Sequence, residues 1–146
     1  MLVTKTIGID MGHRIPNHKS KCRNIHGHRY TIEVGVDDKL ITDSGVTDEG
    51  MVIDFGDLKS IMMEVLDIKY DHGFTIFNKD PFAEIFCHLQ EKWDLKIIFV
   101  DFIPTAENLA KHWYDEIAPL LAARGIKINH VKVWETPSST ATYTGE

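Results

Sequence analysis

The sequence predicts an α+β fold in which helices pack on one face of an antiparallel sheet. Alternating apolar residues mark strands near both ends of the chain, whereas the middle carries apolar stripes at helical spacing. The connection between the first two strands, residues 14–25, contains Pro16 and Asn17 and is long enough for a wide hairpin loop, which favours antiparallel pairing. With 146 residues, the chain is long enough for one core and short for two, so one domain over residues 1–146 is expected.

Strict alternation predicts the first two strands, over residues 3–13 and 26–36. One face of each strand is apolar and ends in histidine: Ile7, Ile9, Met11 and His13 in the first, and His26, His28, Tyr30, Ile32, Val34 and Val36 in the second. Further strands are expected at residues 51–53, within 96–103, over 127–135 and over 140–144. Residues 37–50, rich in Asp, Ser and Gly, form a solvated turn or short hairpin in this interpretation.

Three helices are predicted between these strands. Asp54 and Thr105 are suitable N-caps for the first and third, and Gly73 and Gly125 are suitable stops. The expected buried stripes are Leu58, Ile61, Met62, Val65 and Leu66, then Phe82, Ile85, Phe86, Leu89 and Trp93 within residues 81–93, then Leu109, Trp113, Ile117, Leu120 and Leu121.

Composition and charge exclude several classes of protein. No apolar run is long enough to span a membrane, and the first residues lack a signal-peptide layout, so a cytoplasmic protein is expected. Two cysteines make no disulfide framework. A net charge of −6 argues against a nucleic-acid partner.

The stretch from Met11 to Ile32 nevertheless contains no acidic residue. It holds five of the sixteen basic ones: Arg14, Lys19, Lys21, Arg23 and Arg29. This cluster is either a simple solvated loop or an attractor for an anionic ligand such as a polyphosphate.

Three histidines are predicted to converge on one metal ion. His26 and His28 point to the same apolar face because they are two residues apart on a strand. His13 ends the apolar face of the first strand, which lies beside them if the two strands form a hairpin. Neutral imidazole is a preferred ligand of Zn²⁺, and three protein ligands with one open position are typical of a catalytic zinc.

Cys22 lies in the polar loop before His26 and has two possible roles. It could be a fourth ligand, which would close the site and make the zinc structural. Alternatively, cationic surroundings would favour its thiolate, which could remove a proton from a carbon next to a polarised oxygen. Cys87, in an apolar helical pattern, is given no role.

Asp71, His72 and Glu135 are the other chemically suggestive residues. His72 is either a histidine at a helix C-terminus or, held by Asp71, half of a proton-relay pair. Glu135 shares a strand face with Val131 and Val133, so a carboxylate ends an apolar stripe. It either pairs with a basic side chain or accepts two parallel N–H bonds from a flat amino-heterocycle.

Five motifs in this order resemble the 6-pyruvoyl-tetrahydropterin synthase family, which includes the bacterial 6-carboxy-tetrahydropterin synthases. They are His13 with RIPNHKSKCRNIHGHRY, then VIDFGDLK, DHGF, PTAENLA and VKVWET. The resemblance implies the tunnelling fold, a four-stranded antiparallel sheet with helices on one face, whose subunits form a barrel as a hexamer of two trimers. The sequence departs from the family pattern at residues 9–12, which are Ile-Asp-Met-Gly instead of Phe-Ser-Ala-Ala. Its segment over residues 73–103 is also longer than in a compact family member.

Mapped by motif, the resemblance implies roles for eight residues. His13, His26 and His28 would bind Zn²⁺, Cys22 would be the base, Asp71 and His72 the relay, and Glu135, with Thr105 nearby, the pterin anchor. These groups come from neighbouring subunits in the family, so an isolated subunit should be inactive.

The implied substrate is 7,8-dihydroneopterin triphosphate, and the implied enzyme is a zinc-dependent lyase. The favoured product is 6-carboxy-5,6,7,8-tetrahydropterin, with release of acetaldehyde and triphosphate toward queuosine and other 7-deazaguanines. The alternatives are the pyruvoyl branch, which only eliminates triphosphate and rearranges, and a zinc-stabilised pterin-binding module without chemistry.

Overall fold

The computed structural model describes residues 1–146 and consists of a six-stranded sheet with helices packed against it. The strands are β1 (Leu2–His13), β2 (His26–Asp37), β3 (Phe74–Phe77), β4 (Ile97–Val100), β5 (Ile128–Thr136) and β6 (Ser139–Tyr143). The helices are α1 (Phe55–Met62), α2 (Ile68–Tyr70), α3 (Ala83–Trp93) and α4 (Ala106–Ala122). A π-helical segment (Met63–Asp67) joins α1 to α2, and a 3₁₀ turn (Lys21–Arg23) interrupts the loop before β2.

The sheet is mixed, so the prediction of a four-stranded antiparallel sheet is wrong. Its order is β4-β3-β1-β2-β5-β6. β1, β2, β5 and β6 do form an antiparallel set, but β3 and β4 extend it from β1 in parallel. α3 lies between β3 and β4 and makes the crossover that a parallel pair of consecutive strands requires. The expected strand at 51–53 is absent, and Val52 and Ile53 are buried in a loop.

The first two strands pair over their whole length, as the sequence predicts. The register runs from Leu2 opposite Asp37 to His13 opposite His26. The last residue of β1 therefore lies against the first residue of β2. This pairing places the C-terminal end of β1 and the N-terminal end of β2 at one end of the sheet, where the candidate site is found.

The main core lies between the sheet and the helices α1 and α4. Tyr30 from β2, Leu58 from α1, and Leu109 and Trp113 from α4 are fully buried there. Asp54 caps α1 by accepting hydrogen bonds from the backbone N–H groups of residues 56 and 57, as predicted. Leu120 was expected in the core but is exposed.

The predicted buried stripe of α3 is largely wrong. Only Phe86 is buried, whereas the side chains of Ile85 and Trp93 are exposed. α3 packs on the added strands rather than on the main sheet, in a separate small core of Ile76, Phe86 and Ile97. β3 and β4 have only four residues each, so they offer α3 a small surface to pack on. Most of the helix therefore remains in solvent. No helix of the structure is both long and apolar enough to cross a membrane.

Candidate active site

The three predicted histidine ligands lie together at the end of the β1–β2 hairpin. Their ring centroids are 4.7 Å apart for His13 and His26, 5.1 Å for His13 and His28, and 5.0 Å for His26 and His28. One ring nitrogen from each lies within 4.8 Å of the others. His13 is buried, and the other two are half-buried. The hairpin register therefore brings three imidazoles to one point.

Hydrogen bonds orient two of these rings. His13 Nδ1 lies 2.7 Å from the carbonyl oxygen of Pro104, and His26 Nδ1 lies 2.7 Å from that of Asn24. Because a carbonyl can only accept, both Nδ1 atoms carry the proton and both Nε2 atoms present a lone pair; the Tyr30 hydroxyl lies 3.3 Å from the Nε2 atom of His13. His28 Nε2 is buried without any hydrogen-bond partner. This unpaired atom and the two oriented rings fit a metal ion bound through three Nε2 atoms.

The electrostatics of the cluster also favour neutral imidazoles. The pKa of His13 is lowered from 6.5 to about 4. Burial is the largest cause and the nearby His26 and His28 add to it, whereas the hydrogen bond to Pro104 acts in the opposite direction. Burial likewise lowers the pKa of His28, partly opposed by Glu135. Neutral imidazole is the form that binds a metal, so the site is poised for one at neutral pH.

Cys22 is placed on the wall of a cavity next to the histidines. The cavity has a volume of about 240 Å³, and its lining includes His13, Cys22, Thr105 and Glu135. The sulfur of Cys22, on the 3₁₀ turn, lies outside the cluster of possible ligand atoms. This geometry favours a thiol facing a ligand cavity over a fourth ligand that closes the site.

Glu135 extends from the end of β5 towards the histidines. Its carboxylate oxygens lie 3.9 Å from His13 Nε2 and 3.8 Å from His28 Nε2. No lysine or arginine pairs with Glu135 among the ion pairs of the structure; its basic neighbours are these two histidines. Its carboxylate remains available to a bound molecule.

Glu107 is a site residue that the sequence motifs did not single out. It lies in the first turn of α4 and lines the same cavity as Thr105 and Glu135. Thr105 caps α4 by accepting a hydrogen bond from the Asn108 N–H at 3.3 Å. The proximity of Glu107 to the cap, two residues away in the PTAENLA motif, was the feature that could have identified it.

The predicted relay pair lies apart from this cavity. His72 Nδ1 contacts an Asp71 carboxylate oxygen at 2.7 Å, and the other oxygen accepts the Asp10 N–H at 2.8 Å. The latter hydrogen bond, more than the contact with His72, holds the pKa of Asp71 below its usual range. The His72 side chain is 77% exposed, and the backbone of His72 has a left-handed φ of 58°. His72 and His28 line the same open surface depression, together with Asp10 and Arg29.

The predicted basic cluster divides into two groups. Arg14 is buried in an ion pair with Asp80, and Arg29 pairs with Asp10 at 2.9 Å. The other three members, Lys19, Lys21 and Arg23, are exposed. An anion can therefore be attracted by three of the five, not by all of them.

Comparison with known proteins identifies the family of this chain. The family profile described as 6-pyruvoyl tetrahydropterin synthase matches residues 2–146. The chain belongs to this family. A 6-carboxy-5,6,7,8-tetrahydropterin synthase of Rickettsia felis is 35% identical over 140 residues, covering 92% of this chain and 94% of the relative. The protein of the same name from Haemophilus influenzae is 33% identical and covers 97% and 96%.

Two solved structures share the fold of this chain. The 6-pyruvoyl tetrahydropterin synthase of Caenorhabditis elegans superimposes with a TM-score of 0.70 at 25% identity, covering 100% of this chain and 96% of that one. An uncharacterized protein from Wolinella succinogenes gives a TM-score of 0.82 at 23% identity, with 100% and 98% covered. The names of the curated relatives support a pterin-synthase function for this chain.

Proposed function

We propose that this protein converts 7,8-dihydroneopterin triphosphate to 6-carboxy-5,6,7,8-tetrahydropterin, releasing acetaldehyde and triphosphate, as a single domain over residues 1–146. The observation that carries the proposal is the three-histidine cluster beside a cavity lined by Cys22 and Glu135. The names of the relatives, which cover nearly the whole chain, supply the pterin chemistry. The reaction belongs to the route toward queuosine and related 7-deazaguanines.

His13, His26 and His28 would hold Zn²⁺ through their Nε2 atoms. The supporting observations are the unpaired Nε2 of His28 and the carbonyls that fix the protons of the other two rings on Nδ1. A bound zinc ion supplies Lewis acidity, which lowers the energy of negative charge that develops on a neighbouring oxygen.

Cys22 is the proposed general base, whose thiolate accepts a proton from a side-chain carbon of the substrate. Glu135 accepts two N–H bonds from the pterin ring and so fixes the distance between that carbon and the Cys22 sulfur. Thr105 and Glu107 line the same cavity and contribute polar contacts to the ring. The exposed Lys19, Lys21 and Arg23 attract the triphosphate.

Asp71 and His72 are the proposed proton relay. Because they lie on an exposed surface away from the Cys22 cavity, they serve the cavity of a neighbouring copy of the chain. This arrangement requires a homo-oligomer, for which the proposed state is a hexamer of two trimers that closes the sheets into a barrel. The protein is proposed to act in the cytoplasm, without nucleic-acid or membrane partners.

The test is incubation of the zinc-loaded protein with 7,8-dihydroneopterin triphosphate, followed by mass spectrometry of the pterin and an assay for acetaldehyde. Stoichiometric acetaldehyde and 6-carboxy-5,6,7,8-tetrahydropterin are expected. Triphosphate without acetaldehyde would assign the pyruvoyl reaction for which the family profile is named. A pterin that binds and is recovered unchanged would reduce the protein to a binding module.

A further inference from the structure

Arg14 and Asp80 form a buried ion pair that the proposed chemistry does not use. Arg14 Nη1 donates to Asp80 Oδ1 at 2.6 Å, and the two residues are 6% and 5% exposed. The guanidinium also stacks on the Phe82 ring, with its central carbon 3.9 Å from the ring centroid. Buried ion pairs contribute little net stability, because desolvation of both charges offsets their attraction. Such a pair invites a role other than stabilisation.

Arg14 makes a second contact, to the loop that carries Cys22. Its Nε donates to the carbonyl oxygen of Arg23 at 2.9 Å. The next residue, Ile15, donates its backbone N–H to the carbonyl of Cys22 itself at 2.8 Å. Two adjacent residues thus bind the carbonyl groups of two consecutive residues, Cys22 and Arg23. The loop between them closes on this double contact, which fixes the backbone at Cys22.

Asp80 anchors the other end of this connection. Its Oδ1 also accepts the N–H of Phe82 at 2.8 Å, and its backbone bonds to Phe77 and Ala83 at 2.9 Å. Asp80 is therefore held rigidly between β3 and α3. Its Oδ2 is buried with no hydrogen-bond partner, so part of the carboxylate is unsatisfied. An unsatisfied buried oxygen destabilises the fold, which again argues that the pair serves position rather than stability.

We propose that Arg14 and Asp80 are positioning residues that hold Cys22 at the cavity wall. Asp80 fixes the guanidinium plane, and the guanidinium in turn fixes the Arg23 carbonyl next to Cys22. Neither residue touches the reacting atoms. The inference rests on the proposed function for its catalytic consequence, but the placement of the loop can be measured without any substrate.

The experiment uses the zinc-loaded full chain and three variants. Arg14→Lys keeps a positive charge beside Asp80. Lysine lacks the planar guanidinium, whose separate Nε and Nη1 donors reach the Arg23 carbonyl and Asp80 at the same time. Arg14→Met with Asp80→Asn removes both charges and keeps an acceptor for the Phe82 N–H. Arg124→Met removes an exposed ion pair, to Asp57, and is the matched control. Hydrogen exchange by residue, urea unfolding, kcat and KM are measured for each.

In both Arg14 variants we expect the amide protons of residues 15–24 to exchange at least ~10-fold faster, while those of α4 keep their rates. The kcat should fall by about 10-fold or more with little change in KM, because the base is misplaced while the ring anchor is intact. The double variant should retain the unfolding free energy of the wild type. Arg124→Met should match the wild type throughout.

Other outcomes would overturn the inference. Faster exchange throughout the protein would make the pair a stabiliser of the fold, and unchanged exchange in the loop would remove its positioning role. A loosened loop with unchanged kcat would show that the position of Cys22 does not limit the reaction. If the wild type turns over no substrate, the proposed function fails, while the loop exchange still decides whether the pair positions Cys22.

Discussion

The molecule carries its candidate catalytic groups in two regions that differ in construction. The first, at the end of the β1–β2 hairpin, gathers the histidine cluster, Cys22 and Glu135 around buried or half-buried positions. The second is the turn with half-buried Asp71 and exposed His72; the Asp71 carboxylate accepts the Asp10 N–H, and the His72 N–H donates to the Asp10 carbonyl. One region encloses a cavity, and the other presents a proton-transfer pair to solvent.

This difference in burial leads to the proposal that each chain contributes its histidine region to one active site and its Asp71–His72 turn to another. A buried histidine cluster can define a reaction centre within one chain because paired strands fix it. An imidazole that is 77% exposed cannot hold a defined position relative to a substrate unless another surface covers it. A second copy of the chain is the proposed cover, and the following experiments test this division.

The largest effect is expected for Cys22→Ala in the first region. Removing the general base should lower kcat by about 10³-fold. Zinc content, measured by metal analysis, should remain equal to that of the wild type, because the sulfur lies outside the histidine cluster. Loss of zinc together with activity would instead make Cys22 a structural ligand. Cys87→Ala, at an exposed position, is the matched control and should change neither quantity.

Mixing two inactive variants tests whether the two regions act together across copies. Cys22→Ala and His72→Ala chains, unfolded together and refolded at equal amounts, should regain about a quarter of wild-type activity if each site combines two chains. Each variant refolded alone should stay inactive. If both groups came from the same chain, the mixture would show no gain over the separate variants.

Glu135→Gln should have an intermediate effect, on binding rather than on the chemical step. The amide cannot accept two N–H bonds as a charged group, and the lost stabilisation should raise KM about 10- to 100-fold. The kcat should change less than KM. A variant with unchanged KM and a large fall in kcat would move Glu135 from the anchoring role to the chemistry.

The smallest effect concerns acid stability of the metal-free protein. His13 has a lower pKa in the folded state, about 4, than its ordinary value of 6.5, so between these values the unfolded chain binds more protons. Stability from the neutral ring is therefore present above pH 6.5 and is lost as the pH falls toward 4.

Between pH 7 and pH 5 the free energy of unfolding should fall by about 2 kcal/mol more for the wild type than for His13→Phe. Urea unfolding at both pH values, with a chelator present, measures the difference. Equal pH dependence of the two proteins would mean that His13 is not protected by burial.

Local patterns were sufficient to predict the histidine cluster. Period-two alternation placed His26 and His28 on one face, and hairpin pairing brought His13 beside them. The motif resemblance also identified the family correctly. Glu107 left only one local signal, its closeness to the Thr105 cap. The burial of Arg14 left none, because it depends on the segment after β3 that packs against the loop.

The sequence by itself determined the hairpin, the helix caps at Asp54 and Thr105, and the convergence of the histidines, since each depends on neighbours in the chain or on one strand pair. Only the tertiary structure decided that β3 and β4 add parallel strands, that α3 stays largely exposed, and that Asp71 and His72 lie away from the Cys22 cavity. The physical reason is that such features depend on which surfaces meet. Contacts between residues far apart in the chain leave little trace in local periodicity.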